Sequence, residues 1–104
     1  MAYTAHLDTF ARDNLPPREQ WPEFIFELPE LQYPQRLNCA TGLLDAAVER
    51  GWGDRTAIMA PDGLRWTYAD LLAHANRIAR VLVEDLGLVP GNRVLLRAPN
   101  NPLH

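Results

Sequence analysis

The chain has 104 residues, enough for one small domain, and its 47% hydrophobic and 22% charged residues are ordinary for a soluble globular protein. Its formal net charge of -3 excludes the positive field that would hold nucleic acid or an anionic membrane. Its apolar stretches fall far short of the ~20 residues that cross a bilayer, and residues 1–8 lack the features of a secretory signal. We therefore expect a cytoplasmic protein without nucleic-acid or membrane partners.

Two residue types are missing from the chain. All ten basic residues are arginine, and there is neither a lysine nor a serine. A lysine-based phosphate cradle, a Schiff base and a serine nucleophile are therefore excluded. The single cysteine, Cys39, excludes an internal disulfide and a multi-cysteine zinc site. The sequence consequently indicates no catalytic, cofactor-binding or metal-binding residue in this chain.

Residues 1–37 form a proline-rich and aromatic-rich arm. Five of the nine prolines lie here, and each removes a backbone donor and biases the preceding residue toward extended geometry. We predict one helical turn within residues 9–14, followed by an extended, irregular segment. Its large apolar side chains need a surface to bury against, and they are Phe10, Leu15, Trp21, Phe24, Phe26, Leu28, Leu31 and Tyr33.

A helix and a hairpin are predicted after residue 37. Asn38 is a favourable N-cap, and a helical apolar face follows it until Gly51 ends the helix. Residues 56–60 and 64–67 then read as two strands. Between them, Pro61, Asp62 and Gly63 predict a turn, because proline presets φ and glycine accepts the left-handed conformation.

The second helix is the clearest element of the sequence. Residues Thr67 to Asp70 have the form of a capping box, and Gly87 is placed to end the helix in the left-handed conformation. A turn at residues 89–92 and a strand at residues 93–98 follow. The predicted core face of the helix consists of Leu71, Leu72, Ala75, Ile78, Ala79, Leu82 and Val83.

Residues 38–104 thus predict a partial α/β domain of helix, hairpin, helix and strand. The last strand is apolar through its centre, and such strands are normally covered on both faces. Nothing after residue 98 would supply that cover. We therefore expect the beginning of a larger fold, incomplete as it stands.

Four motifs, in order, resemble the adenylate-forming acyl-CoA synthetases over residues 37–102. They are residues 37–45 (LNCATGLLD), 53–58 (GDRTAI), 66–71 (WTYADL), and 87–94 (GLVPGNRV) followed by 99–102 (PNNP). Asn92 stands where the family usually has Asp, and asparagine can fill the same role in a turn. In the arm, residues 8–17 and 20–23 resemble the leader of aryl-acid CoA ligases, especially 2-aminobenzoate– and benzoate–CoA ligases.

The resemblance implies the N-terminal part of the large domain of an adenylate-forming ligase. In that family, a carboxylic acid attacks the α-phosphate of ATP–Mg²⁺ to give an acyl adenylate, and the thiol of coenzyme A then displaces AMP. The phosphate loop and the lysine that this chemistry requires have no counterpart in this chain. We expect the chain to bind none of these cofactors, to be inactive alone, and to have the remainder of the ligase fold as its partner.

Several residues invite a functional interpretation, and in each case a structural one is favoured. Cys39 in a first helical turn is expected to be a buried small side chain and not a reactive thiol. His74 is expected to be solvated or hydrogen-bonded, while His6 and His104 lie near the ends of the sequence and are not predicted to be metal ligands. Asp62 and Gly63 belong to a turn, and residues 51–53 to a helix end. Arg77 and Arg80 are expected on a solvated face.

A second interpretation remains open. The chain could be a non-catalytic interaction module that pairs with another chain to complete the fold. A stable stoichiometric partner in the source cell would favour the module, and a continuation of the reading frame encoding a lysine-bearing phosphate loop would favour the ligase.

Overall fold

The computed structural model describes residues 5–102, which form two compact units. The first unit combines the described residues through Leu37 with Leu88–Arg93. The second contains Asn38–Gly87 and the described residues from Val94 onward. Each unit is described by itself below, and the predicted domain boundary after residue 37 stays a prediction.

The first unit contains only short helical turns. Helix α1 is Phe10–Asp13, which confirms the predicted turn, and 3₁₀ turns follow at Arg18–Gln20 and Pro29–Leu31. Helix α1 starts where the Asp8 carboxylate accepts a hydrogen bond from the Phe10 amide at 3.0 Å. The spacing of the prolines prevents these turns from growing into longer helices, as predicted.

The second unit begins with a helical stretch whose hydrogen bonding is partly of the π type, at Thr41–Asp45 and Val48–Trp52. The Asn38 side chain accepts a hydrogen bond from the Thr41 amide at 3.1 Å, which confirms the predicted cap. Gly51 has φ +82° and breaks the helical geometry at the predicted end. Ala47 on this stretch is 4% exposed and is the one buried residue among residues 5–102.

An antiparallel hairpin follows, with strand β1 at Thr56–Met59 and strand β2 at Arg65–Thr67. Ile58 pairs with Trp66, and the register is irregular between Thr56 and Ile58. The predicted turn is confirmed, since Gly63 has φ +88° and donates to the Ala60 carbonyl at 3.0 Å. The described chain contains this two-stranded sheet and no other.

Helix α2 is Tyr68–Arg80, continued by a π-type segment at Val81–Asp85, and Gly87 follows with φ +65°. Both halves of the predicted capping box are present between Thr67 and Asp70. The predicted core face is covered in part, because Leu71, Leu72, Ala75 and Leu82 are half-buried while Ile78, Ala79 and Val83 are exposed. Within the described residues, the far half of this face has no layer packed on it.

The strand predicted at residues 93–98 is not formed. These residues lie in neither a helix nor a strand, and Val94, Leu95 and Leu96 are 51%, 91% and 72% exposed. A strand exists only where a neighbouring backbone accepts its hydrogen bonds, and among residues 5–102 no such neighbour is paired with this segment. The apolar pattern is that of a strand, but the prediction of a formed strand is wrong for this structure.

Candidate functional site

One connected group in the first unit is the Asp8 cluster, made of Asp8, Phe10, Asn92 and Arg93. One carboxylate oxygen of Asp8 accepts from the Phe10 amide at 3.0 Å. The other accepts from Asn92 Nδ2 at 2.9 Å and from Arg93 Nη1 at 3.1 Å. These donors, led by the Phe10 amide and followed by Asn92 and Arg93, lower the pKa of Asp8. The Arg93 guanidinium also lies over the Phe10 ring, 4.7 Å from its centroid.

Asn92 joins this cluster to the predicted turn at residues 89–92. Its Oδ1 accepts from the Val89 amide at 2.9 Å, while its Nδ2 donates to Asp8. The Pro90 carbonyl accepts from the amides of Leu7 and Asp8 at 2.9 and 3.0 Å. An aspartate could accept from Val89 but could not donate to Asp8. The cluster therefore holds the N-terminal segment, residues 6–8, against the turn at residues 89–92. Its polar groups are hydrogen-bonded to one another within this chain, so we interpret the cluster as structural.

A second group, in the second unit, links the hairpin to helix α2. The rings of Trp66 and His74 stack with centroids 4.2 Å apart and an interplanar angle of 7°. The Asp70 carboxylate, one helical turn before His74, accepts from the Thr67 amide and from the Thr67 hydroxyl, both at 2.9 Å. These two bonds, and then the charge of His74, lower the pKa of Asp70. His74 is thus half-buried against a ring, where the sequence suggested solvent or a hydrogen bond.

The glycine-containing loop at residues 51–53 is a helix end, as predicted. The Gly53 carbonyl accepts from the Ala69 amide, and the Arg55 carbonyl accepts from the Tyr68 amide, both at 3.0 Å. The loop thus presents carbonyl oxygens to the start of helix α2, whereas a phosphate-binding loop must present free amides. Trp52, within this loop, has the guanidinium carbons of Arg50 and Arg55 5.5 and 4.8 Å from its ring centroid.

The remaining residues singled out from the sequence are Cys39, Arg77, Arg80 and His104. Cys39 is exposed, so the expectation of a buried side chain is wrong, because no part of residues 5–102 covers the first turn of its helix. Arg77 and Arg80 lie on a solvated face as expected, and Arg80 pairs with Glu84 at 3.5 Å. His104 lies outside the described residues.

The family model described as AMP-binding enzyme matches residues 44–104. That range contains the hairpin, helix α2 and the turn at residues 89–92, and it is more than half of the chain. The chain belongs to the AMP-binding enzyme family. The resemblance to adenylate-forming enzymes is thereby confirmed at family level.

Relatives of this AMP-binding chain include the acetyl-coenzyme A synthetases of Mycobacterium tuberculosis and Mycobacterium bovis, each 46% identical over 71 residues. The Deinococcus radiodurans acetyl-coenzyme A synthetase is 44% identical over 69 residues. The aligned part is 64% of this chain for the mycobacterial proteins and 62% for the Deinococcus protein. The chain spans 11% of the length of the mycobacterial proteins and 10% of the Deinococcus protein. No solved structure matches the chain.

ATP, Mg²⁺ and CoA are implied for full-length members of the AMP-binding family, and the residues of this chain do not fit the nucleotide and its metal. The chain has no lysine or serine for a triphosphate, and the Gly53 carbonyl after the first helical stretch already accepts the Ala69 amide at the start of helix α2. Within residues 5–102, no three His, Cys, Asp or Glu side chains are grouped to hold a metal ion. Over the same residues, no helix has both the length and the apolar character needed to span a membrane.

Sequence reasoning missed the two clusters. Asp8 carries a local signal, because an aspartate side chain can accept from the amide two residues further on, here that of Phe10. Its contact with Asn92 bridges 84 residues, and no local pattern encodes that distance. The stacking of Trp66 on His74 likewise joins strand β2 to helix α2. It depends on how the two elements pack, so the local sequence around either residue does not predict the contact.

Proposed function

We propose that this chain provides N-terminal scaffold for an ATP-dependent acid–CoA ligase, which converts a carboxylic acid, ATP and CoA into acyl-CoA, AMP and pyrophosphate through an acyl adenylate. The supporting observation is the family match over residues 44–104, which falls on the elements that the structure forms: β1, β2, the capped helix α2 and the turn at residues 89–92. The acetyl-coenzyme A synthetase relatives support the same class of reaction.

In this proposal, the chain contributes structure and no reacting group. Its ionised side chains are committed to capping and fastening, as with Asp8 and Asp70, or lie exposed on the surface. The exposed apolar residues of helix α2 and of residues 94–96 are then the surface that the remainder of a ligase fold would cover. The family match gives no support to the alternative, a non-catalytic interaction module.

We further propose an aromatic acid as the substrate of the complete ligase. The support is the leader, where residues 8–17 and 20–23 resemble those of aryl-acid CoA ligases. In the structure these residues make local contacts within the leader: the Asp8 carboxylate accepts from the Phe10 amide at 3.0 Å, Asn14 Nδ2 donates to the Phe10 carbonyl at 2.8 Å, and Trp21 Nε1 donates to the Pro16 carbonyl at 2.8 Å. The named relatives are acetyl-coenzyme A synthetases, so acetate is the competing acid.

Acid-dependent exchange of pyrophosphate into ATP tests the proposal. The protein captured from the source cell with an antibody to this chain should exchange pyrophosphate with an aromatic acid and form the CoA thioester. The purified 104-residue chain should show no exchange. Exchange with acetate in place of benzoate or 2-aminobenzoate would refute the aromatic substrate, and captured protein without any acid-dependent exchange would refute the ligase scaffold.

A further inference from the structure

Residues 23–27, the acidic segment, have the alternating pattern of a strand but lie in neither a helix nor a strand. Their sequence is Glu-Phe-Ile-Phe-Glu. The Phe24 and Phe26 rings are nearly parallel, at 8° with centroids 6.1 Å apart, as expected for alternate residues on one face of an extended chain. The two glutamates and Ile25 alternate with these rings and belong to the opposite face. The segment therefore has an aromatic face and an acidic face.

The aromatic face is part of a longer row of rings. Ring contacts run from Trp21 to Phe24, from Phe24 to Phe26 and from Phe26 to Tyr33, with centroids 6.4, 6.1 and 6.5 Å apart. Phe24, Phe26 and Tyr33 are nevertheless 61%, 49% and 60% exposed. An exposed row of aromatic side chains of this kind is typical of a contact surface.

One backbone edge of the acidic segment is open. In an extended chain the amide and carbonyl of a residue point to the same side, and the side alternates along the chain. The Phe26 carbonyl accepts from Gln32 Nε2, so its side of the segment is already bonded. Among the described residues, the backbone groups of Glu23, Ile25 and Glu27 on the other side have no hydrogen-bond partner. An open edge is a template for a further strand.

The charge around the acidic segment has one sign. Residues 19–35 contain no arginine, lysine or histidine, and they contain four glutamates, which are Glu19, Glu23, Glu27 and Glu30. All four are exposed, and within the described part of the chain none of them forms an ion pair. A partner that presents cations to this surface is therefore electrostatically complementary to it.

We propose that a basic, extended segment from the remainder of the ligase adds to the open edge of the acidic segment as a neighbouring strand. Its cations face Glu23 and Glu27, and an apolar residue faces Ile25, because directly opposite residues share one face of a sheet. In strand addition of this kind, the backbone hydrogen bonds give affinity and the alternate side chains give specificity. The inference rests on the proposed function, since it takes its partner from the ligase.

Two observations favour the remainder of the ligase over a second copy of the acidic segment. This chain spans 11% of the length of the mycobacterial relatives, so most of a complete ligase of that class lies outside it. Antiparallel pairing of two acidic segments would set Glu23 of one copy against Glu27 of the other, and like charges directly opposite each other are destabilising.

Amide hydrogen exchange at single-residue resolution, measured by mass spectrometry, tests the pairing. It compares the purified 104-residue chain with the complete ligase purified from the source cell. In the chain alone, the amides of Glu23, Ile25 and Glu27 should exchange without protection. In the ligase they should exchange about tenfold or more slowly, because the added strand must open first. The amides of Phe24 and Phe26 point to the other side and should change little.

Charge reversal in the complete ligase tests the role of the two glutamates on the open edge. The double variant E23R/E27R should lose the protection of the Ile25 amide, because two opposite-charge pairs become like-charge pairs. The double variant E19R/E30R is the matched control, since it changes the net charge by the same amount at exposed glutamates outside the acidic segment. This control should keep the protection.

Each contrary outcome has a distinct meaning. Protection of the Glu23, Ile25 and Glu27 amides already in the purified chain would overturn the proposal in favour of a second copy. Unprotected amides in a ligase that catalyses acid-dependent pyrophosphate exchange would exclude this pairing and leave the proposed function intact. Equal loss of protection in both double variants would exclude pairing through the two edge glutamates. Captured protein without acid-dependent exchange would refute the proposed function, and with it the partner named here.

Discussion

Substituting Gly91 with alanine should detach the N-terminal segment from the turn at residues 89–92. Gly91 has φ +98°, which an L side chain adopts only with strain. A Cβ at this position would overlap the Asp8 carbonyl oxygen, and it would lie 2.9 Å from the Asp8 carbonyl carbon and 3.1 Å from His6 Cβ. The nearest atom to the added Cβ belongs to the backbone of Asp8 and not to a flexible side chain. The backbone of the N-terminal segment therefore has to move.

The expected cost has two parts. The left-handed conformation costs about 1–2 kcal/mol for alanine relative to glycine. Displacing the N-terminal segment also breaks the two backbone hydrogen bonds that the Pro90 carbonyl accepts from Leu7 and Asp8. The loss of each bond costs about 1 kcal/mol. The sum is about 3–4 kcal/mol. Gly63→Ala is the matched control, since Gly63 has φ +88° with nothing within 4 Å of the added Cβ, and should cost only the first part.

Amide hydrogen exchange measured by NMR separates the two contributions. In the Gly91→Ala variant, the amides of Leu7 and Asp8 should lose the protection that their bonds to Pro90 provide, while the amides of helix α2 keep theirs. In the Gly63→Ala variant, the Leu7 and Asp8 amides should exchange as in the unmodified chain. Equal exchange of these two amides in both variants would refute the close approach at Gly91.

Three further predictions concern the capping and fastening contacts. Thr67→Ala should lower the free energy of unfolding of helix α2 by about 1 kcal/mol in urea titrations followed by circular dichroism, whereas Thr67→Ser keeps the cap; equal stabilities would contradict the capping box. Asn92→Asp should weaken the attachment of the N-terminal segment, because it puts a second carboxylate against Asp8 and removes a hydrogen-bond donor. The Phe10 amide should then exchange faster with solvent, and Asp8→Asn in the same chain should restore its protection. Because the pKa values of Asp8 and Asp70 are lowered, both ionised carboxylates stabilise the folded chain. Their contribution to the free energy of unfolding is complete above the ordinary aspartate pKa and is lost as pH falls through the lowered values; carboxyl NMR titrations with unshifted midpoints would contradict this.

The parts of the fold that the sequence predicted correctly are those whose partners lie close along the chain. The Asn38 cap reaches the amide three residues on, and the capping box of Thr67 and Asp70 spans the same distance. The turn at Gly63 and the end of the helix at Gly51 depend on a single backbone conformation that glycine adopts without strain. The hairpin, helix α2 and the helical turn of α1 follow from such local signals.

The features that the sequence could not predict depend on contacts between segments that are distant along the chain. The apolar pattern of residues 93–98 is that of a strand, but a strand forms only against a paired neighbour, and within residues 5–102 there is none. Cys39 is exposed for the same reason, because burial needs a second layer that local pattern cannot supply.

The sequence by itself therefore determined the local elements of this chain and its membership of the AMP-binding family, since both are encoded in short-range motifs. Only the tertiary structure decided that Asp8 is fastened to Asn92 and Arg93 and that the Trp66 ring stacks on His74. The physical reason is separation along the chain. A contact across 84 residues depends on how the intervening chain folds, whereas a contact across three residues depends on the backbone angles of those residues alone.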